Sequence, residues 1–219
     1  MPITTVIFDM DGVIADTQRL HAQAEHALLR QRGIHLTPEE ITHRFSGVSG
    51  HEMFSTIFQE HNHSGSVDEI VTEKRAVMMG HAASDIVPIS GVQALIKRLK
   101  DAGLTLAVAS ASGPDFIEKV LESVQVRQHF DALASSREVA RGKPAPDVFL
   151  LAAKKVGVVA SACMVIEDGI SGMQGARAAG MACIALVEPH RLQSNTNYPA
   201  DVVVERHDQI TLELIQSLG

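Results

Sequence analysis

The chain has 219 residues, of which 45% are hydrophobic and 21% are charged, and its formal net charge is −7 at pH 7. This balance is typical of a globular protein with a large core, and the acidic charge disfavours nucleic acid or an anionic membrane as a partner. No basic-then-apolar leader opens the chain and no apolar stretch approaches the roughly 20 residues of a membrane span, so we expect a cytoplasmic protein. We also expect a monomer or weak homodimer, although no sequence feature indicates the oligomeric state.

The first predicted element is a buried strand at residues 3–8. Its β-branched and apolar residues end abruptly in Asp9, Asp11 and Gly12. The glycine permits a tight turn that leaves both carboxylates at the carboxyl end of the strand. In open α/β sheets ligands bind at that edge, so this segment is the first candidate for chemistry.

Only helices are predicted in the next segment, residues 16–87. Helix start signals stand at Thr37, Ser49 and Ser66, and we find no convincing strand between them. The pattern indicates a four-helix insert at residues 16–87, which interrupts a core domain made of residues 1–15 and 88–219.

Helices and strands alternate after residue 88. The predicted helices lie around residues 92–99, 114–124, 146–156 and 171–179 and after residue 208, and the predicted strands at 104–109, 132–134, 163–166, 182–187 and 202–204. Such alternation predicts an α/β fold, a Rossmann-like and mostly parallel sheet with helices on both faces, to which the first strand also belongs. Cys163 and Cys183 lie in strand-like stretches, so we expect reduced core thiols rather than a disulfide.

Four polar features are predicted at the carboxyl ends of these strands. They are Asp9 with Asp11, Ser110 followed by the free amide of Ala111, Lys143, and Glu167 with Asp168. Because parallel strands present their carboxyl ends at one edge of a sheet, these residues can meet around one ligand although they are far apart in sequence.

Their chemistry is that of phosphate transfer. A carboxylate attacking a phosphate meets a repulsion of about 4 kcal/mol for each pair of unit charges at ~4 Å and an effective dielectric of ~20. Mg²⁺ prefers carboxylate, carbonyl and water oxygens and can bridge protein and phosphate, which makes Asp9 and Asp168 natural ligands. Lys143 can add a second positive charge, and Ser110 can hydrogen-bond phosphoryl oxygens. With the charge neutralised, Asp9 is a candidate nucleophile and Asp11 a candidate proton donor.

In order and over essentially the whole chain, these segments resemble the four motifs of the haloacid dehalogenase superfamily, with Asp9-Met10-Asp11-Gly12-Val13 as the first. The helical insert is similar to the cap of the β-phosphoglucomutase-like phosphatases. The resemblance implies that Asp9 is the phosphorylated nucleophile and Asp11 the acid and base, and that Ser110 and Lys143 contact the phosphate. It also implies Mg²⁺ on Asp9, the backbone carbonyl of Asp11 and Asp168, with Glu167 in or next to the metal shell.

The sequence therefore predicts a Mg²⁺-dependent phosphatase that hydrolyses a small phosphorylated metabolite through an aspartyl-phosphate intermediate. We expect this metabolite to be a sugar phosphate. The cap is expected to close over the site. Its candidate substrate-binding residues are His21, on the first helix of the insert, and Gly47, in a loop that resembles the family's specificity loop.

Two alternatives remain open. A β-phosphoglucomutase uses the same nucleophile but must hold a bisphosphate by both ends, and Gly50 stands where the mutases carry arginine, unless His51, Lys74 or Arg75 compensates. A non-catalytic phosphoacceptor like a receiver domain also gathers acidic residues, a hydroxyl and a lysine at strand ends. Receiver domains, however, lack such a helical insert and need no proton donor like Asp11.

Overall fold

A computed structural model describes residues 1–45, 48–81, 86–187 and 197–219, and its centre is a six-stranded parallel sheet. In chain order the strands are β1 (Thr5–Phe8), β2 (Thr105–Ser110), β3 (Ala132–Ser135), β4 (Cys163–Glu167), β5 (Ala182–Leu186) and β6 (Val202–Val204). They lie side by side in the order β3-β2-β1-β4-β5-β6. The chain thus builds one half of the sheet outward from β1 and then returns across the centre to build the other half, which confirms the predicted α/β class.

The α-helices in the described ranges cover both faces of the sheet and form the insert. They are α1 (Gln18–Gln31), α2 (Pro38–Phe45), α3 (Gly50–Glu60), α4 (Val67–His81), α5 (Val92–Asp101), α6 (Pro114–Ser123), α7 (Asp147–Lys155), α8 (Ile170–Ala178) and α9 (Leu212–Ser217). None of these described helices combines the length and the apolar character that a bilayer crossing requires.

Strand β1 is the most deeply buried element of the sheet. It pairs with β2 on one side and with β4 on the other, and both of its faces are covered by clusters of apolar side chains. A strand covered on both faces is apolar throughout, which explains the run of residues that predicted it. The strand begins at Thr5 rather than at the predicted residue 3, because the ladders with both neighbours begin there.

Strands β2, β3 and β4 each end one residue later than predicted, at Ser110, Ser135 and Glu167. Ser110 pairs with Ser135 in β3, and Glu167 pairs with Ala185 in β5, so both polar residues are the last members of their strands rather than the first residues after them.

The thiols of the two predicted core cysteines, Cys163 and Cys183, are buried and form no disulfide, as expected.

Three of the four helices of the insert, α2, α3 and α4, begin directly after the predicted start signals. The side-chain oxygens of Thr37, Ser49 and Ser66 accept hydrogen bonds from backbone N–H groups three residues later, at 3.2, 3.2 and 3.3 Å. These caps satisfy N–H groups that would otherwise lack partners at the first turn. Helices α1, α3 and α4 and the segment around α2 share an apolar cluster of their own, which includes Leu29 and Phe54.

The chain enters and leaves the insert at adjacent points. The N–H of Asp16 donates to the carbonyl of Val87 at 2.9 Å, and Ala15 forms a bridge with Pro88. Both passages therefore lie side by side near the carboxyl end of β1. The division into domains at residues 15/16 and 87/88 stays a prediction.

Candidate active site

The site lies where the strand order reverses, at the carboxyl ends of β1 and β4. In a doubly wound sheet the crevice at this switch point is the expected place for a ligand. A cavity of about 550 Å³ opens there between the sheet edge and the insert. Its lining includes these residues predicted from the sequence: Asp9, Asp11, His21, Ala111, Lys143, Glu167 and Asp168.

Lys143 links the first and last motifs. Its Nζ donates to the carboxylate of Asp9 and to Oε2 of Glu167, the latter at 2.8 Å, and the three side chains are only 8%, 7% and 4% exposed. Burial lowers the pKa of this ammonium, but the charges of Asp9 and Glu167 more than offset that effect and hold its pKa above the usual range. Lys143 is therefore a buried, permanent positive charge.

The surroundings of Asp9 disfavour its charged form, in contrast to those of Lys143. Burial raises the pKa of its carboxyl well above the usual range, and the charge of Glu167 raises it further, while Lys143 opposes both effects. Negative charge on Asp9 is thus disfavoured by its surroundings and needs additional positive charge to be stable.

The surroundings of Asp9 fit a divalent metal. Carboxylate oxygens of Asp9, Glu167 and Asp168 lie within 4.8 Å of one another, and all three residues are buried. With Asp11 nearby, four carboxylates face the single charge that Lys143 supplies. Mg²⁺ prefers oxygen ligands of this kind and would cancel the excess negative charge. The donor set therefore suits the ion that the sequence analysis predicted.

Glu167 is held by partners on both of its oxygens. Oε2 accepts from Lys143, while Oε1 accepts the backbone N–H groups of Asp168 at 3.2 Å and Gly169 at 3.0 Å. These contacts orient Lys143 and the loop that carries Asp168, and a place for Glu167 in or next to the metal shell stays a prediction.

Gly172 makes room for Glu167 in the first turn of α8. A Cβ at this position would lie 1.9 Å from Oε2 of Glu167, which no side chain tolerates. We expect Gly172→Ala to displace the glutamate, to lower the free energy of unfolding by roughly 1–3 kcal/mol and to reduce turnover. Thermal unfolding and phosphate release measure both effects, with Gly80→Ala, in an open part of α4, as the control. A fully active and stable Gly172→Ala protein would contradict this packing.

Asp11 belongs to a separate network of hydrogen bonds. Its carboxylate accepts from the hydroxyls of Thr17, of Ser110 at 3.3 Å and of Ser112 at 3.4 Å, and Nε2 of His21 lies 3.4 Å from Oδ1. Burial raises its pKa, but the hydrogen bond and charge of His21 and the hydrogen bond from Thr17 lower it to about 2 overall. The carboxylate is therefore ionised at neutral pH and can accept a proton.

Ser110, which the sequence predicts as a phosphate ligand, is the last residue of β2. It is fully buried, its hydroxyl contacts Asp11, and its Oγ accepts the N–H of Ser112 at 3.0 Å. Ala111 and Ser112 line the cavity at this strand end instead. Gly47, another of the predicted substrate-binding residues, lies outside the described residues.

Several contacts of the site were missed by the sequence analysis. Nε2 of Gln18 donates to Oδ2 of Asp168 at 2.6 Å, and the ring of His21, one turn later on α1, packs edge-on against Phe116 with 5.9 Å between centroids. The available signal was the spacing of Gln18 and His21, which places them on one face of the helix that follows the first motif.

Gly12, at φ +83°, is required by the close approach of Asp168, since a Cβ there would lie 2.4 Å from Oδ2.

Comparison with known proteins identifies the family. The family model described as haloacid dehalogenase-like hydrolase matches residues 6–186. The chain belongs to this family. A probable pseudouridine-5'-phosphatase of Drosophila melanogaster is 30% identical, over 94% of this chain and 91% of that protein. Hexitol phosphatase B of Escherichia coli K12 is 29% identical, over 95% of each chain.

Among solved structures, the β-phosphoglucomutase of Clostridium difficile is similar to this haloacid dehalogenase-like hydrolase, with a TM-score of 0.80 and 27% identity, over 98% of this chain and 96% of that chain. The predicted fold and the predicted enzyme class, a phosphoric monoester hydrolase of the haloacid dehalogenase type, are confirmed. The proteins similar to this chain therefore include both phosphatases and a mutase.

Proposed function

We propose that this haloacid dehalogenase-like hydrolase is a Mg²⁺-dependent phosphatase that releases phosphate from a small sugar phosphate through an aspartyl-phosphate on Asp9. The observation that carries the proposal is the convergence of Asp9, Lys143, Glu167 and Asp168 in one buried cluster at the end of β1 and β4. A cytoplasmic location and a monomeric or weakly dimeric state stay predictions.

In the first step a carboxylate oxygen of Asp9 attacks phosphorus, the new O–P bond forms, and the bond from phosphorus to the sugar oxygen breaks. Asp11 protonates that leaving oxygen, and the approach of an anionic phosphate raises the pKa of Asp11 and so favours its protonated form. Lys143 offsets the charge on the transferred group. Mg²⁺, when bound, would supply further positive charge at Asp9 and Asp168.

In the second step the same residues exchange roles. Asp11, now ionised, takes a proton from a water molecule, which attacks phosphorus and restores the carboxylate of Asp9. The hydroxyls of Thr17, Ser110 and Ser112 keep Asp11 in place in both steps. The products are the free sugar and inorganic phosphate.

The cap favours a phosphatase over a mutase. A mutase needs a cationic site for the second phosphate, and Gly50 supplies no side chain there. The three side chains that could compensate already face carboxylates: Lys74 pairs with Glu25, Arg75 with Asp115 at 2.7 Å, and His51 lies 3.5 Å from Asp68.

The proposal is tested with a panel of phosphorylated sugars and small acids, in which free phosphate and isomerised product are scored separately. We expect phosphate release from at least one sugar phosphate in the presence of Mg²⁺, none after chelation of the metal, and no isomer. An isomerised sugar phosphate as the main product would establish the mutase instead. Stable phosphorylation of the protein without turnover would indicate a receiver-like phosphoacceptor.

A further inference from the structure

An ion pair inside the cavity is not used by the chemistry described above. Nζ of Lys74, on α4, pairs with Oε1 of Glu25, on α1. Both residues line the cavity, and their side chains are only 16% and 9% exposed. A carboxylate this buried is costly unless it interacts with a charge or a ligand, so the pair is a built feature of the cavity wall.

The pair lies far from the reacting group along α1. Gln18, which contacts Asp168, and His21, which contacts Asp11, share a face of the helix with Glu25, four residues beyond His21. At a rise of 1.5 Å per residue, Glu25 lies about 10 Å along the helix axis from Gln18. A sugar phosphate with its phosphate at Asp9 would extend its tail toward this end of the cavity.

The ammonium of Lys74 lies beside Gly50, the first residue of α3. A Cβ on Gly50 would lie 3.6 Å from Nζ of Lys74. Lys74 is therefore a cation beside the position at which the mutases carry arginine. Lys74 and Glu25 both contribute to the charge that a second phosphate would meet there, and Arg75, which also lines the cavity, pairs with Asp115.

Glu25 cancels the attraction that Lys74 would otherwise exert on an anion. A second phosphate or a carboxylate at this end of the cavity would meet an ammonium and a carboxylate at similar distances, so attraction and repulsion largely offset each other. An uncharged hydroxyl meets no such repulsion, because it can donate to Glu25 and accept from Lys74 at once.

We infer that Glu25 is a specificity-determining residue that neutralises Lys74, so that the cavity selects monophosphates with an uncharged hydroxyl-bearing tail and rejects substrates with a second anionic group. As a statement about substrates, the inference rests on the proposed phosphatase function. As a statement about binding, it can be tested without turnover.

The test is a charge series at the two positions, measured by calorimetry with glucose 6-phosphate and glucose 1,6-bisphosphate in the presence of Mg²⁺. An Asp9→Asn background prevents hydrolysis during the titration. Glu25→Gln removes a negative charge and makes the net charge of the pair more positive by one unit. Lys74→Gln removes a positive charge and makes it more negative by one unit, and the double variant restores neutrality.

We expect Glu25→Gln to tighten binding of the bisphosphate about tenfold or more relative to the monophosphate. Lys74→Gln should weaken it, and the double variant should return to the ratio of the parent. Glu73→Gln, which removes a carboxylate that pairs with Arg32 and lines no part of this cavity, is the matched control and should leave the ratio unchanged.

A ratio that does not follow the charge of the pair would overturn the inference. Preferential binding of the bisphosphate by the parent would do the same. If Glu25→Gln does not fold, Lys74→Gln and the double variant still test the order of affinities. Turnover of an aryl phosphate by the wild-type protein is measured separately, and its absence would overturn the proposed function while the affinities still report on the cap.

Discussion

Asp9→Asn is expected to abolish hydrolysis of an aryl phosphate in the presence of Mg²⁺. The amide is not a nucleophile at phosphorus, and it removes one of the carboxylates that hold Lys143 and the metal. The measurement is steady-state phosphate release, compared with that of Asp16→Asn. Asp16 is exposed and lines no part of the cavity, so its variant should retain full turnover.

The same substitution should leave the metal-free protein at least as stable as the wild type. Burial, reinforced by the charge of Glu167, raises the pKa of Asp9 above its unfolded value. A carboxyl of this kind contributes stability at low pH that is lost as the pH rises through its folded pKa, so a neutral amide relieves the cost at neutral pH. Thermal unfolding at pH 7 should give a Tm at or above that of the wild type. Measurable steady-state hydrolysis by a folded Asp9→Asn protein would refute Asp9 as the nucleophile.

Asp11→Asn is expected to slow turnover by about 10²-fold or more. An amide can neither protonate the leaving sugar oxygen nor take a proton from the attacking water. With a reactive substrate such as an aryl phosphate, whose leaving group needs little protonation, the second step should become limiting. Phosphorylated enzyme should then accumulate, which rapid mixing detects as a burst of the phenolate product.

The stability of Asp11→Asn should change in the direction opposite to that of Asp9→Asn. The hydrogen bond and charge of His21 outweigh burial and lower the pKa of Asp11 to about 2, so ionised Asp11 stabilises the fold above its unfolded pKa. That contribution, about 2–3 kcal/mol, is lost as the pH falls towards 2, and it should also be lost in the variant at pH 7. Equal rates for wild type and variant across the pH range would count against Asp11 as acid and base.

The sheet and the strand-terminal residues could be predicted because their signals are local. An apolar run such as β1 can be buried only between two other strands, and parallel strands bring their carboxyl ends to one edge. Asp9 and Asp168 follow from that topology even though the intervening chain is long. Lys143 was predicted at a strand end as well, but it lies in a loop eight residues after the end of β3, and the fold of that loop brings it to the site. The exact strand ends at Ser110 and Glu167 did not follow, because ladder pairing with neighbouring strands decides them.

The contacts made by the helical insert could not be predicted in the same way. Helical spacing places Gln18, His21 and Glu25 on one face of α1, but only tertiary packing decides that this face is turned toward the sheet edge. The pairing of Glu25 with Lys74 depends on the packing of α1 against α4, which are separated by two other helices in the chain. The burial of Ser110 likewise depends on the hydrogen bonds of its hydroxyl with Asp11 and with the N–H of Ser112. Sequence spacing does not predict these partners.

The most direct test of the central claim is to locate the phosphoryl group on the enzyme during turnover. Wild-type protein, mixed with an aryl phosphate and Mg²⁺ and quenched in acid within the first turnovers, is digested and examined by mass spectrometry. We predict one phosphoryl group on the peptide that contains Asp9, in a linkage that hydroxylamine cleaves. A phosphoryl group on Ser112, on His21 or on any residue other than Asp9 would contradict the proposed chemistry.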